Sequence, residues 1–252
     1  MSRAGDTAAV EHVPPDVFGE DYLYFYEDFL TDELSETQVN RLWRLLELAP
    51  GLEALDVPCG HGRIANRLAE RGLRVTGLDA DPLFLERARA DAATRGVDVE
   101  YVEGDMRTLP WDGRFDLVVN WFTSFGYFDD DGNRAWLREA RQTLKPGGRL
   151  VLDVHNRDAF ARNWLPVTMS ERDGDLLVDR HAFDLPTGRN ETERFLVRDG
   201  RMRGTRFSVR MLTFTELRDW LLDAGFSGVD VSGHDGEPLT LDVRRMLVVA
   251  TL

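Results

Sequence analysis

Between residues 55 and 63 the chain reads Leu55-Asp56-Val57-Pro58-Cys59-Gly60-His61-Gly62-Arg63. A short apolar run ends in an acid, two glycines let the backbone turn tightly, and a helical pattern follows. Such a turn offers backbone N–H groups and the positive end of a helix dipole to an anionic ligand. Gly60-x-Gly62-x-x-Ala65 also fits the G-x-G-x-x-G/A spacing of dinucleotide sites. The turn alone therefore leaves three readings open: a nicotinamide cofactor, another nucleoside cofactor, or a tight strand-to-helix turn without a ligand. Asp79, ending the next apolar run, can accept both hydroxyls of a ribose, a device common to either cofactor. Capping of the following helix falls instead to Asp81, with Pro82 at its first position.

The elements that must position these residues follow from periodicity. Val39, Leu42, Trp43 and Leu46 have helical spacing, and that helix ends near Ala49-Pro50-Gly51. Short apolar strands are predicted at 54–57, 74–78, 97–102, 115–120 and 149–154, separated by helices over about 62–71, from Asp81 onward, and near 131–144. The last of these helices stops at Lys145-Pro146-Gly147-Gly148. Strands alternating with helices imply a parallel sheet covered on both faces. Residues 168–212 change character, with four short strands punctuated by Asp173-Gly174, Pro186-Thr187-Gly188 and Asp199-Gly200, an antiparallel insertion. Thr213-x-x-Glu216 is a capping box for a helix ending at Gly225, and strands at 229–231 and 246–251 complete the chain.

Composition narrows the partners. The 252 residues carry 31 Lys+Arg against 45 Asp+Glu, a net charge of −14. That balance opposes a duplex nucleic-acid substrate, which needs a basic face. Ten acids fall in residues 1–36 against Arg3 alone, and the same stretch interleaves Phe18, Tyr22, Tyr24, Phe25, Tyr26 and Phe29. So aromatic a segment is expected to pack on something, beyond an unperiodic start over residues 1–16. No run of 18 apolar residues and no basic-then-apolar leader is present, so neither a membrane span nor a secretory signal is expected. Cys59 is the single cysteine; no internal disulfide can form, and a cytoplasmic protein is expected. Asp153, His155 and Asn156 lack a second ligand cluster, so no metal is expected.

Three further motifs separate the cofactor readings: Glu103-Gly104-Asp105-Met106-Arg107, Phe115-Asp116-Leu117-Val118-Val119-Asn120, and Leu144-Lys145-Pro146-Gly147-Gly148. In order and spacing, the set resembles the class I S-adenosylmethionine-dependent methyltransferases. The resemblance implies an α/β fold with a doubly wound, mostly parallel seven-stranded sheet, Rossmann-like, plus a small antiparallel β insertion. It also implies S-adenosyl-L-methionine as cofactor. Asp56, Cys59, Gly60 and Gly62 would line the turn at the methionine moiety, and Arg63 would face its carboxylate. Asp79 would bind the ribose, Ala80 the adenine, and Gly104, Asp105 and Met106 the adenine edge and face. Asn120 and Trp121 would close the pocket beside the sulfonium. Pro58 and His61 depart from the commoner residues of the family.

The runs Tyr22-Leu23-Tyr24-Phe25-Tyr26 and Phe122-Thr123-Ser124-Phe125-Gly126-Tyr127-Phe128 are similar to a small-molecule subgroup that includes sugar-amine N-methyltransferases. This implies a lid, residues 1–36, holding Tyr22 and Tyr26 over the cofactor, with Tyr127 beside a small-molecule acceptor. The core would span 37–164, the insertion 165–212 would cover the acceptor or make a homodimer contact, and 213–252 would complete the core. A general base could come from Tyr127, from His155 just past a strand at the ligand-binding edge, or from His181. Acids of the lid near the pocket mouth (Glu20, Asp21, Glu27, Asp28) would favour a cationic acceptor. A nicotinamide-dependent oxidoreductase and a non-catalytic cofactor-binding subunit are the alternatives.

Overall fold

The computed structural model describes residues 17–252. The expected unperiodic start, residues 1–16, lies outside the described residues, and so does the beginning of the expected lid. Two helices come first, α1 (Glu20–Tyr26) and α2 (Asp32–Leu45). The alternating portion follows as β1 (Glu53–Asp56), α3 (Ala65–Glu70), β2 (Arg74–Asp79), α4 (Pro82–Arg95), β3 (Val99–Glu103), β4 (Phe115–Asn120), α5 (Asp130–Thr143), β5 (Leu144–His155) and α6 (Arg157–Arg162). Four strands then form the insertion: β6 (Val167–Arg172), β7 (Asp175–Asp184), β8 (Arg189–Arg198) and β9 (Arg201–Arg210). Helix α7 (Phe214–Asp223) and strands β10 (Gly228–Gly233) and β11 (Arg245–Thr251) close the chain.

The main sheet has seven strands in the order β10-β11-β5-β4-β1-β2-β3. All neighbours are parallel except those of β11, which runs antiparallel to both β10 and β5. Alternation along the strands sorts the core onto two faces. Leu55, Val118, Leu150 and Leu152 face Trp136 and Leu137 of α5 and Leu217 and Leu221 of α7. Ala54, Leu117, Val119 and Val151 face Val39 and Leu42 of α2 and Ala65 and Leu68 of α3. From β1 the chain builds outward through β2 and β3, then returns to the other side of β1 through β4. The carboxyl ends of β1 and β4 thus flank the point where the winding reverses, where open α/β sheets bind ligands.

Two caps follow the sequence signals. Asp81 accepts from Leu83 N ahead of Pro82, and Thr213 with Glu216 completes the capping box; the structure adds two caps that were not expected, Thr31 accepting from Leu34 N and Asp129 from Gly132 N. Several boundaries differ from expectation. The helix expected from residue 62 begins at Ala65, because Gly60 and Gly62 both hold positive φ and extend the turn. Lys145–Gly148 does not separate helix from strand but belongs to β5, which meets β4 through an irregularity opposite Phe115 and Leu117. Helix α6, capped by Asn156, carries no sequence signal, because a helix of 6 residues leaves little periodicity.

The insertion is a separate four-stranded meander, β6-β7-β8-β9, with three strands of 10 residues, longer than expected. Two of its links are two-residue turns, Asp173-Gly174 and Asp199-Gly200, with positive φ at both positions, the geometry that matches strand twist. Its inner face sets Phe183, Phe207 and Val209 against Val17, Phe18, Tyr127 and Phe160. That small cluster joins the meander to the ligand end of the main sheet.

Candidate cofactor and acceptor site

Beyond β1 the backbone is tied on both sides: Val57 N donates to Val119 O at 2.9 Å and Cys59 N to Leu78 O at 2.9 Å. Gly60, at φ +53°, would point a Cβ into open space. Gly62 differs, since a Cβ there would lie 2.8 Å from Ala88 Cβ and strike the Tyr101 hydroxyl. Its glycine is required by α4 and β3, whereas the open side of Gly60 adjoins a cavity of about 550 Å³. Asp56, Cys59, Gly60, Arg63, Asp79, Ala80, Gly104, Asp105, Met106, Trp121, Tyr22 and Tyr127 all line this cavity. Burial pushes the Cys59 thiol well up, so it is an inert wall.

The charged groups in the cavity are arranged unequally. Asp79 accepts from Gly60 N at 2.7 Å and from Asp81 N at 2.9 Å, which fixes its carboxylate at the end of β2. Burial raises its pKa, while those backbone donors counter the rise. Asp56 is 1% exposed, and neither of its oxygens finds a hydrogen-bond partner among the described residues. Burial pushes it up to about 7, with Arg63 and the backbone N–H of Ala65 pulling the other way. Arg63 is buried too; Nη1 donates to Gln38 Oε1 at 2.6 Å and to Ser35 Oγ at 3.3 Å, but Nη2 has no such partner among the described residues. An orphaned carboxylate and an orphaned guanidinium N–H in one cavity match the ammonium and carboxylate of an amino-acid end. With Asp79 positioned for a ribose, the residues fit S-adenosylmethionine.

No sequence motif marks Gln38 or Ser35, the residues that hold Arg63 Nη1. Gln38 Oε1 accepts from both Arg63 and Trp121 Nε1, the latter at 3.1 Å, so α2 fixes two cavity walls at once. Nothing local marks a residue that acts on partners 25 and 83 positions away.

The far wall comes from the loop after β4. Phe122 and Thr123 both sit at φ 60°, a costly conformation for such residues. Asp153 imposes it, accepting from Phe122 N at 3.1 Å through its side chain and from Thr123 N at 2.8 Å through its carbonyl. Arg245 holds Asp153 in turn, with both contacts to the carboxylate at 2.8 Å. This loop carries Trp121, Phe122, Ser124, Tyr127 and Phe128 to the cavity. Opposite them α1 presents Tyr22, whose ring packs on Phe18 at 5.4 Å and Phe84 at 6.0 Å. Burial raises both the Tyr22 and Tyr127 phenols above their ordinary range, so both keep their protons at neutral pH.

Several expected residues stand away from the cavity wall, which excludes Tyr26, Gly62, Asn120 and His155. Tyr26 stacks behind Tyr22 at 4.4 Å. Asn120 is fully buried and donates to Val57 O at 2.9 Å, bracing the turn from β4. His155 packs against Phe160 with ring centroids 6.1 Å apart, and burial lowers its pKa to about 4. His181 lies on the meander between Thr168 and Thr192, each at 3.1 Å. Nor do the acids expected at the cavity mouth gather there. Glu20 and Asp21 pair with Arg198 at 3.8 and 2.7 Å, and Glu27 and Asp28 pair with Arg172 at 3.1 and 3.7 Å. The meander neutralises them, which removes the expected electrostatic bias toward a cationic acceptor. Among the described residues no three metal-ligating side chains come together, and no helix is long and apolar enough to cross a membrane.

Comparison with known proteins agrees with this geometry. A methyltransferase-domain family model matches residues 54–148. The cypemycin N-terminal methyltransferase of a Streptomyces species is 35% identical over 208 residues, 79% of this chain and 82% of that protein. An S-adenosylmethionine-dependent methyltransferase from Clostridium acetobutylicum shares the fold with a TM-score of 0.77 at 15% identity, over 92% of this chain and 98% of that one. An S-adenosylmethionine-bound amino pentose methyltransferase from Micromonospora echinaspora, involved in calicheamicin biosynthesis, gives 0.67 at 22% identity, over 96% and 100%. With a relative this similar over most of both lengths, the chain belongs to the class I S-adenosylmethionine-dependent methyltransferases.

Proposed function

We propose that this methyltransferase acts on an amine nitrogen of a small-molecule acceptor. The observation that carries the choice is the state of the acceptor-side groups. Tyr22 and Tyr127 hold their protons, and His155 stands off the cavity wall. A hydroxyl acceptor must lose its proton to attack, and these groups are poor at taking it. A neutral amine attacks through its lone pair and needs no such help. The cavity volume, about 550 Å³, falls in the range of small-molecule sites, roughly 300–1,000 Å³.

S-adenosylmethionine, when bound, supplies a methyl group already activated on a sulfonium. In this reading Arg63 and Asp56 hold its amino-acid end, Asp79 its ribose, and Ala80, Gly104, Asp105 and Met106 its adenine. Cys59 and Gly60 form the turn against it, with Gly62 and Asn120 bracing that turn. Trp121, Phe122 and Tyr22 exclude water, with Tyr26 supporting Tyr22. The hydroxyls of Tyr127 and Tyr22 orient the acceptor nitrogen for an in-line attack. Residues 1–36 serve as the lid and the meander as the acceptor-side cover. The setting is the cytoplasm, in keeping with the single, buried cysteine, and duplex nucleic acid is no partner, in keeping with the −14 charge.

Mass spectrometry after incubation with S-adenosylmethionine and a panel of amines, phenols and alcohols tests this reading. N-methyl products are expected, with rates rising as pH approaches the acceptor amine's own pKa. Methylation of phenols or alcohols alone would refute it. A second reading, the α-amine of a peptide, is favoured by the 35% identity to the cypemycin N-terminal methyltransferase; adding short peptides to the panel separates the two.

A homodimer belongs to the same proposal. The outer face of the meander aligns Val167, Met169, Leu176, Val178, Phe195, Val197 and Met202, with Met169 63% and Met202 71% exposed. An apolar sheet face interspersed with Arg180, Glu191, Glu193 and Arg206 carries both charge signs, as a self-complementary contact requires. Sedimentation should give a dimer mass that falls to the monomer on M202E/M169E; a monomeric wild type refutes the contact.

A further inference from the structure

The structure assigns a role to two arginines far from the cofactor turn: Arg172 and Arg198 are positioning residues for the tyrosine lid. They clamp the Tyr24 ring between two guanidinium groups and thereby hold Tyr22 over the methyl-donor cavity. The inference rests on the reading that Tyr22 covers the bound cofactor.

Helix α1 has only 7 residues, and its N-cap, Gly19, supplies no side-chain hydrogen bond. A helix this short does not hold its shape in water by itself. Within it only Leu23 is buried. Something else must therefore fix its orientation. Tyr22 and Tyr26, four residues apart, share the side that faces the cavity and the Phe122 loop. Asp21 and Tyr24 meet the meander.

There the contacts are dense and specific. The Arg198 guanidinium carbon lies 4.3 Å from the Tyr24 ring centroid and that of Arg172 lies 4.7 Å from it. The Tyr24 hydroxyl donates to Arg172 O at 3.1 Å, and the Arg172 guanidinium donates back to Tyr24 O. Asp21 ties the same surface to Arg198 at 2.7 Å and also pairs with Arg203. Both clamp arginines stand at one end of the meander, Arg172 paired with Asp175 in register and Arg198 within 3.9 Å of the Asp175 carboxylate. Guanidinium groups suit this task because a planar cation can lie against a ring while its N–H groups serve carboxylates. The lid is thus fastened by its outward side, and the inward side is left free to seal the cavity.

The carboxylates of Glu20, Glu27 and Asp28 in the clamp are exposed, so those ion pairs contribute little and salt weakens them, while the Asp21–Arg198 pair is half-buried. The lid therefore opens by releasing the meander, and cofactor exchange becomes sensitive to ionic strength. The side chains of the clamp do not touch the cavity. A change confined to them therefore reports on positioning.

The test follows S-adenosylhomocysteine release by stopped-flow fluorescence, with Trp121 in the cavity wall as reporter. Y24L is expected to speed release by about tenfold, the sum of two exposed cation–π contacts and a hydrogen bond. Y24F, which keeps the ring between the guanidinium groups, should stay within about twofold of wild type. Added salt should accelerate release from the wild type and do so less in E20Q/E27Q/D28N, which removes the exposed ion pairs that Y24L keeps. The thermal midpoint should move little in either variant, whereas a purely structural role would lower it and leave release alone. Wild-type release from Y24L, or equal damage from Y24F, overturns the proposal. Should Y24L not fold, R198Q carries the same expectation with the same reading. The measurement uses no acceptor, so its failure is distinct from a wrong acceptor assignment; absence of any S-adenosylhomocysteine binding would refute the cofactor site itself.

Discussion

Asp79→Ala is expected to weaken S-adenosylhomocysteine binding by about 3 kcal/mol, roughly a hundredfold, as measured by calorimetry. Two contributions add. The ribose loses a charged acceptor for its hydroxyls, and hydrogen bonds to a charged group are worth more than neutral ones. The turn also loses its brace, because Asp79 holds Gly60 N at 2.7 Å and Asp81 N at 2.9 Å. Asp79→Asn separates the two, since one amide oxygen can still accept from the turn while the charge is gone; an intermediate loss is expected. Unchanged affinity in Asp79→Ala would take the residue out of the site.

Asp56 should make cofactor binding depend on pH. With its carboxyl pushed up to about 7 by burial, the free protein holds a proton there that the unfolded chain, at 3.8, has already lost. The sign follows: the native state binds more protons, so stability falls as pH rises from about 4 to about 7, by at most on the order of 4 kcal/mol. His61 and His155 act in the opposite sense. Burial lowers each to about 4, so their neutral forms favour the fold above 6.5 and that contribution is lost as pH falls through 4. An ammonium placed against Asp56 restores the carboxylate and expels its proton. Affinity for S-adenosylhomocysteine should therefore climb as pH rises from 5 to 7, by at most about tenfold per unit. Asp56→Asn should flatten that slope and let apo-protein stability rise more steeply with pH between 4 and 7 than in the wild type, because the His61 and His155 contributions then stand unopposed. A wild-type affinity independent of pH across this range would contradict the pairing.

Much of the fold was legible because its signals are local. Apolar runs ending at Asp56 and Asp79, Pro82 after Asp81, and the Thr213–Glu216 box each act within a few residues, and each appears where the pattern puts it. Two-residue turns such as Asp173-Gly174 gave away the meander for the same reason. Misjudged boundaries had tertiary causes. Lys145–Gly148 looks like a helix stop followed by a loop, but pairing of Leu144 with Phe115 on one side and hydrogen bonds of Gly147 and Gly148 with Leu252 on the other draw it into β5.

The site was less legible than the fold, and the reason is side-chain direction. His155 does end β5 at the ligand edge, as expected, yet its ring packs toward Phe160. Asn120 ends β4 beside the cavity, yet its amide serves Val57 O. Which way a side chain points at a strand end depends on neighbours from distant segments. The acids of α1 and the turn after it give the converse case: their charge was plain, but the arginines that absorb it are Arg172 and Arg198, far along the chain. Gln38, shared by Arg63 and Trp121, shows how one residue of a plain amphipathic helix can organise a cavity without any motif.

The most direct test of the account is a crystal structure of the complex with S-adenosylhomocysteine. The account predicts the ligand in the cavity beside Gly60, its ribose hydroxyls on Asp79 and its amino-acid end between Asp56 and Arg63 Nη2. Its sulfur should face the Tyr22–Tyr127 side. Density outside this cavity, or an amino-acid end that leaves both Asp56 and Arg63 Nη2 unpaired, would contradict it.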